Sequence, residues 1–235
     1  MVSSVIDWEK RNMRQFEWRK PGRTAYSVLV AEVLLRRTTS KAVSGVYSEF
    51  LHRYPDVISL AKAEPKDLLG LLSRIGLQGQ RLRGIQELAT YLLHEHGGKI
   101  WGEYEKLREI PHVGRYTANA VLSFGFGKSS PIVDSNVTRI LRRVFASEIR
   151  DSRRERLFWA IAEKLVPVYA HECFNWGLLD IGATICTYRT PHCEACPLVA
   201  VCDTGLKMSV HVQKTSSSKH NTPSGAGKCC RTLGG

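Results

Sequence analysis

The chain has 235 residues, 43% of them hydrophobic and 24% charged, with seven cysteines and a net charge of +12. That length buries one generous core or two small lobes, and its longest apolar runs fall far short of the ~20 residues a bilayer span needs. The opening MVSSVIDWEKRN is charged where a signal peptide is apolar, so the expected setting is the cytoplasm, near the nucleoid, and the basic balance points to a polyanion.

In chain order the pattern is helix after helix. Residues 24–38 are nearly all apolar and too long for a strand, which predicts a buried helix capped by Thr24. Within it Glu32 sits among Val28, Leu29 and Leu35, where a carboxylate needs a partner or a raised pKa. The ordinary partner would be Arg36, one turn on. Residues 40–53 start at Ser40 and place Val43, Val46, Tyr47, Phe50 and Leu51 at helical spacing. Helices follow over 56–63, 65–73 and 79–96, punctuated by Pro55, Pro65 and Gly97–Gly98, and then over 103–109, 115–125, 135–146 and 153–170. No run shows sustained strand alternation, so the expected fold class is all-α with short connections. Residues 207–235 are rich in Ser, Gly and Lys and cannot repay the entropy of ordering. They are expected to form a flexible basic tail, and Lys207, Lys214, Lys219, Lys228 and Arg231 supply five of the net charges.

Three features carry chemistry. Residues 103–125 form two short helices around the turn IPHVGR, where Pro111 stops the first helix and Gly114 is expected to permit the turn. The free amides of 114–117, with Arg115 beside them, suit a DNA phosphate; the alternative is an ordinary helical hairpin. Asp134 follows in PIVDSNVTRILRRVF, as N-cap of a helix whose core face is Val137, Ile140, Leu141 and Val144. Finally Cys186, Cys193, Cys196 and Cys202 stand in the order C-x6-C-x2-C-x5-C. Thiolates so close together read as metal ligands rather than a disulfide framework. Only Cys193 and Cys196 make the C-x2-C knuckle common in zinc sites, and four uneven spacings favour a [4Fe–4S] cubane, with zinc as the alternative. Cys173 reads as a small core residue, and Cys229 and Cys230 fall in the tail.

Hairpin, VD-x-N helix and cysteine run, in this order, resemble the helix-hairpin-helix base-excision DNA glycosylases, which include endonuclease III and the adenine glycosylase MutY. The resemblance covers residues 8–204. The segments FEWRKPGRTAYSVLVAEVLLRRTT, IGLQGQRLRGIQELA, HVGRYTANAVLSFGFGK and FNWGLLDIGATIC look most like the archaeal-type mismatch glycosylases that remove thymine or uracil opposite guanine. The resemblance implies two lobes, a six-helix barrel over 22–131 and an iron–sulfur lobe from 1–21 plus 132–206. A mismatched double-stranded DNA would lie between them, bound by a monomer.

It also implies roles. Asp134 would stabilise the cationic sugar as the N-glycosidic bond breaks, and Glu32 would act as an acid or organise water at the base. Tyr116 stands where endonuclease III has the lysine that forms a Schiff base, and a phenol has no amine with which to do so. The other reading of Tyr116 is a core aromatic of the hairpin. Arg36, Arg37 or Thr38 would fill the space left by the flipped base or touch the orphan guanine, and Gln78, His112, Gly114, Arg115 and Arg189 would meet DNA. The family hairpin is usually G-V-G, so His112 replaces a glycine and the turn is expected to be adjusted or strained. The rivals are an adenine glycosylase acting opposite guanine or oxidised guanine, and a non-catalytic iron–sulfur DNA-binding protein.

Overall fold

The computed structural model describes residues 1–149 and 155–207, and all the regular structure among them is helical. The helices are α1 Val2–Asn12, α2 Ala25–Leu35, α3 Ser40–Ser44, α4 Tyr47–Arg53, α5 Val57–Ala61, α6 Pro65–Leu72, α7 Gln78–His96, α8 Tyr104–Glu109, α9 Arg115–Ala120, α10 Ser135–Val144, α11 Glu155–Leu165 and α12 His171–Thr184. The expected tail, with Cys229 and Cys230, lies outside the described residues, save Lys207. No described helix is long and apolar enough to cross a membrane.

Local chemistry sets the boundaries. Thr24 caps α2 in a reciprocal box with Ser27: its hydroxyl oxygen accepts from the Ser27 amide at 3.2 Å, and the Ser27 oxygen accepts from the Thr24 amide at 2.9 Å. The helix stops three residues short of the expected 38 because the buried guanidinium of Arg81, from α7, takes its last carbonyls. It donates to Val33 (3.1 Å), to Leu34 (2.9 Å) and to Arg36, satisfying groups that a helix end leaves open. The expected helix 40–53 divides at Gly45–Val46 into α3 and α4. The expected helix 115–125 is α-helical only to Ala120 and continues as a π-helical turn over Val121–Gly125.

Two apolar clusters form. One gathers α2 to α9 around Leu34, Phe50, Leu68, Leu72, Leu92 and Leu107. The other gathers α10 to α12 with Val5 of α1, around Ile140, Leu141, Phe158, Phe174 and Ile181. Trp176 of α12 joins the first cluster and stacks on Phe124 at 5.0 Å, so the two are stitched rather than merely adjacent. Helix α1 lies against α12 at Gly177, where a Cβ would come within 2.6 Å of Val5 Cγ1. A buried ionic knot completes the join. Asp180 accepts from Arg14 Nε at 2.7 Å and from both terminal nitrogens of Arg19 at 2.7 and 2.8 Å. Cys173, read as a core residue, is half-buried, its thiol 3.6 Å from the Ile6 carbonyl of α1.

Candidate active site

Where α2, the α8–α9 hairpin, the start of α10 and the N-terminal segment meet, a cavity of about 540 Å³ opens, within the roughly 300–1,000 Å³ usual for ligand sites. Glu32, Tyr116 and Asp134 all line it, together with Arg19, Asn136 and Trp176. Residues from two distant parts of the chain, Glu32 on one side and Tyr116 and Asp134 on the other, thus share one chamber.

Asp134 keeps its ordinary role as well. One carboxylate oxygen accepts from the Val137 amide at 2.8 Å, capping α10, and the other accepts from Asn136 Nδ2 at 2.9 Å. Burial nevertheless raises its pKa, against these bonds and the charge of Arg139. Arg139 in turn holds Asn136: it donates to Asn136 Oδ1 at 2.9 Å and to the carbonyls of Cys186 and Gly182, each at 2.6 Å. At Gly182 α10 and α12 touch so closely that a Cβ there would stand 2.5 Å from Asn136 Cβ.

Glu32 does not close the expected ion pair. Arg36 turns to the hairpin, donating to the His112 carbonyl and, at 3.4 Å, to Thr117 Oγ1. Burial pushes the Glu32 carboxyl up to about 7, opposed by the nearby charge of Arg36, and Asp134 pushes the same way as burial. Tyr116 faces the same chamber as Glu32, and its phenol is held well above its usual range, first by burial and then by the charges of Glu32 and Asp134. The phenol therefore stays protonated, a neutral donor between two acids. Tyr116 also packs against both apolar clusters, so the reading as a hairpin aromatic and the reading as a site residue hold together.

The turn differs from expectation in one respect. Gly114 has φ −81° and serves as the N-cap of α9, so the left-handed residue is His112, at φ +65°. A non-glycine there is strained, and the fold ties it down. Its ring nitrogen lies 2.6 Å from Glu87 Oε2, its ring packs over Gly84, and Arg36 holds its carbonyl. The imidazole expected to reach phosphate is thus engaged with a carboxylate. Arg115 is exposed, its guanidinium 4.1 Å from the centre of the Trp159 ring.

Of the other expected contacts, Thr38 lines the cavity and is half-buried, while Arg37, Gln78 and Arg189 are exposed. Arg37 is also left-handed, at φ +51°, as is Leu77, at φ +52° and 44% exposed. These two line one shallow depression with His112. Sequence reasoning missed Leu77, Arg19 and Asn136. The last was visible in the VD-x-N motif, whereas nothing local marks the other two.

Cys186, Cys193, Cys196 and Cys202 are not joined in disulfides; the first and last are buried and the middle pair half-buried. Burial pushes the Cys193 and Cys196 thiols up, and Cys186 and Cys202 push both further, so the sulfurs sense one another. Arg143 donates to Cys186 Sγ at 3.2 Å and to the carbonyl of Thr187 at 2.7 Å. No group of three or more His, Cys, Asp or Glu among the described residues is arranged to hold a metal ion. The donor set, four soft thiols with a guanidinium aimed at one of them, fits an iron–sulfur group in its chemistry.

Comparison with known proteins decides the family. Residues 30–164 match the model described as HhH-GPD superfamily base excision DNA repair protein. The chain belongs to that superfamily. This chain is a DNA glycosylase of base-excision repair. A thymine/uracil-DNA glycosylase of Methanothermobacter thermautotrophicus is 33% identical over 86% of this chain and 91% of its own length. A thymine-DNA glycosylase of Aeropyrum pernix is 37% identical over 84% and 91%. Among solved structures, a thermostable thymine-DNA glycosylase superposes with a TM-score of 0.83 at 33% identity, covering 88% of this chain and 95% of that one.

Proposed function

We propose that this chain is a monomeric, monofunctional glycosylase that takes thymine or uracil mispaired with guanine out of duplex DNA and hydrolyses its N-glycosidic bond. The observation that carries the reading is the meeting of Asp134, Glu32 and a tyrosine, rather than an amine, in one cavity. The names and coverage of the relatives support the choice of base.

A base in a duplex is out of reach, so the nucleotide must be flipped, which a mismatch makes easier. Arg37 and Leu77, exposed and left-handed in a depression that shares Arg36 and His112 with the cavity, suit the vacated space, an apolar wedge beside a cation. Arg36 acts from behind, holding the hairpin turn. Inside, Asp134 in its ionised form stabilises the positive charge that grows on the sugar. Glu32, protonated near neutrality, donates to the departing base through a site that Tyr116 orders. Tyr116 forms no imine, so the reaction ends at the abasic site. The four cysteines would hold a [4Fe–4S] cluster, which when bound ties their loop into one rigid unit and sets Arg189 toward the backbone of the DNA.

The test is base release from duplexes carrying one G·T, G·U or A·G mismatch. Release of thymine or uracil is expected. Adenine alone would make the chain an adenine glycosylase, and no release by an iron-loaded, DNA-binding sample would make it a binding protein. Asp134→Asn should abolish release with mismatch binding largely intact. Efficient borohydride capture of the wild-type protein on DNA would overturn the monofunctional reading.

A further inference from the structure

Five buried polar side chains that the mechanism above does not use form one unbroken line. Asn119, Ser123, Ser130, His171 and Asn175 are each at most 8% exposed. Asn119 Nδ2 donates to the Arg115 carbonyl at 2.8 Å, and the Ser130 hydroxyl donates to Asn119 Oδ1 at 2.5 Å. Asn175 Nδ2 donates both to the Ser130 carbonyl at 2.9 Å and to Ser123 Oγ at 3.0 Å. Ser123 Oγ meets His171 Nδ1 at 3.1 Å, and His171 Nε2 meets the Gly127 carbonyl at 3.1 Å.

The partners fix the proton on every link. A carbonyl only accepts, so a His171 proton sits on Nε2; in the neutral ring Nδ1 then accepts from Ser123, whose oxygen accepts from Asn175. Each of the five makes at least one of these bonds, and none of their solvent-shielded side-chain nitrogens or oxygens lacks a partner. Buried groups cost free energy unless paired, so a line this complete specifies one arrangement of the backbone it touches.

That backbone is the part the site depends on. Asn119 lies three residues after Tyr116 on the same helix, and Ser130 lies four residues before Asp134. Residues 127–134 have no regular structure of their own, so no helix ladder fixes their register. Asn175 reaches them from α12, beside the cavity-lining Trp176. We propose that Asn119, Ser130 and Asn175 are positioning residues for base release: they lock the segment that ends at Asp134 to the helix that carries Tyr116, and so set the separation of the two groups across the bound sugar. None of the three lines the cavity, and they act only through placement.

The inference rests on the reading of Asp134 and Tyr116 given above, and the experiment separates the two. Single-turnover base release and Kd for the same mismatched duplex are measured for wild type, Ser130→Ala, Ser130→Thr and Asp134→Asn, well below each protein's melting temperature. Ser130→Ala loses the bond to Asn119 and should slow release by about ten- to a hundredfold, the scale of a misplacement near 1 Å, with Kd unchanged within about twofold. Ser130→Thr, which keeps the hydroxyl, should restore most of the rate. Asn119→Ala breaks the same link from the other side and serves if Ser130→Ala does not fold. An unchanged rate in the alanine variant overturns the inference, as does a rate that falls together with affinity and melting temperature and is not restored by threonine. If Asp134→Asn still releases base, the failure lies in the site reading instead.

Discussion

Glu32 shows how one side chain answers two demands. An apolar helix face buries it, which favours the proton, yet Arg36 and the Tyr116 phenol favour the charge, and burial wins to leave the carboxyl near 7. If protonated Glu32 is the donor, release falls as pH rises through about 7, by up to tenfold per unit, and falls again on the acid side, where Asp134, its pKa raised by burial, takes up a proton. A single-turnover pH profile checks this; a rate that climbs through the same range would mean that the ionised form does the work. Glu32→Gln should cost roughly a hundredfold or more and flatten the alkaline limb, since general acid catalysis is worth 10²–10⁴. The sequence signalled this residue through its apolar neighbours and through the family resemblance. It did not reveal that Arg36 would prefer the His112 carbonyl, because that choice depends on a turn 76 residues away.

Among elements, α1 is the one least written in its own pattern. Its sequence was read only for its charge, and its place is decided by partners far along the chain: Gly177 of α12 beneath Val5, and Asp180 of α12 holding Arg14 just beyond its end. The same join carries a liability. Glu9 is 1% exposed with both carboxylate oxygens lacking hydrogen bonds, and although Arg19 comes within 3.5 Å, its two terminal nitrogens are aimed at Asp180. Burial and the Asp180 charge therefore raise the Glu9 pKa from 4.5 to about 7. The folded state then binds more protons than the unfolded one between these values, so stability falls as pH rises through 4.5–7 and levels off above. Glu9→Met removes the titration and should stabilise the chain at pH 8 by about 1–3 kcal/mol, as replacing buried charge by apolar volume often does. It should do much less at pH 5. Thermal melts at the two pH values decide; equal shifts would show that packing, not charge, was at work. The elements that were legible, α2, α7 and α10, carry their own caps and apolar faces. The break between α3 and α4 and the π-turn after α9 arise from packing between neighbours, which periodicity along one segment does not encode.

At the scale of the whole molecule the chain is two apolar clusters with chemistry gathered along their seam. The fold class and the order of its motifs were readable because each motif is local: a hairpin, a capped helix, a run of cysteines. The seam was not, since Arg19, Asp180, Trp176 and Asn175 announce nothing until the chain closes. If the cysteines hold a cubane, purified protein should contain about four iron and four acid-labile sulfide per chain. Cys193→Ser should lower both and weaken DNA binding while leaving far-UV helicity close to wild type. Zinc in place of iron, or full metal content in the variant, would remove the cluster from the proposal.

The crossing of α10 and α12 at Gly182 also has a consequence for how this protein can vary over time. Even a methyl group there must displace Asn136, the side chain that steadies Asp134, so natural sequences that keep activity should keep glycine at 182. Gly79, with open space around its Cβ position and no left-handed backbone to preserve, should drift freely. Two glycines of identical composition thus record different histories, one held by repair of the genome and the other by nothing in the fold.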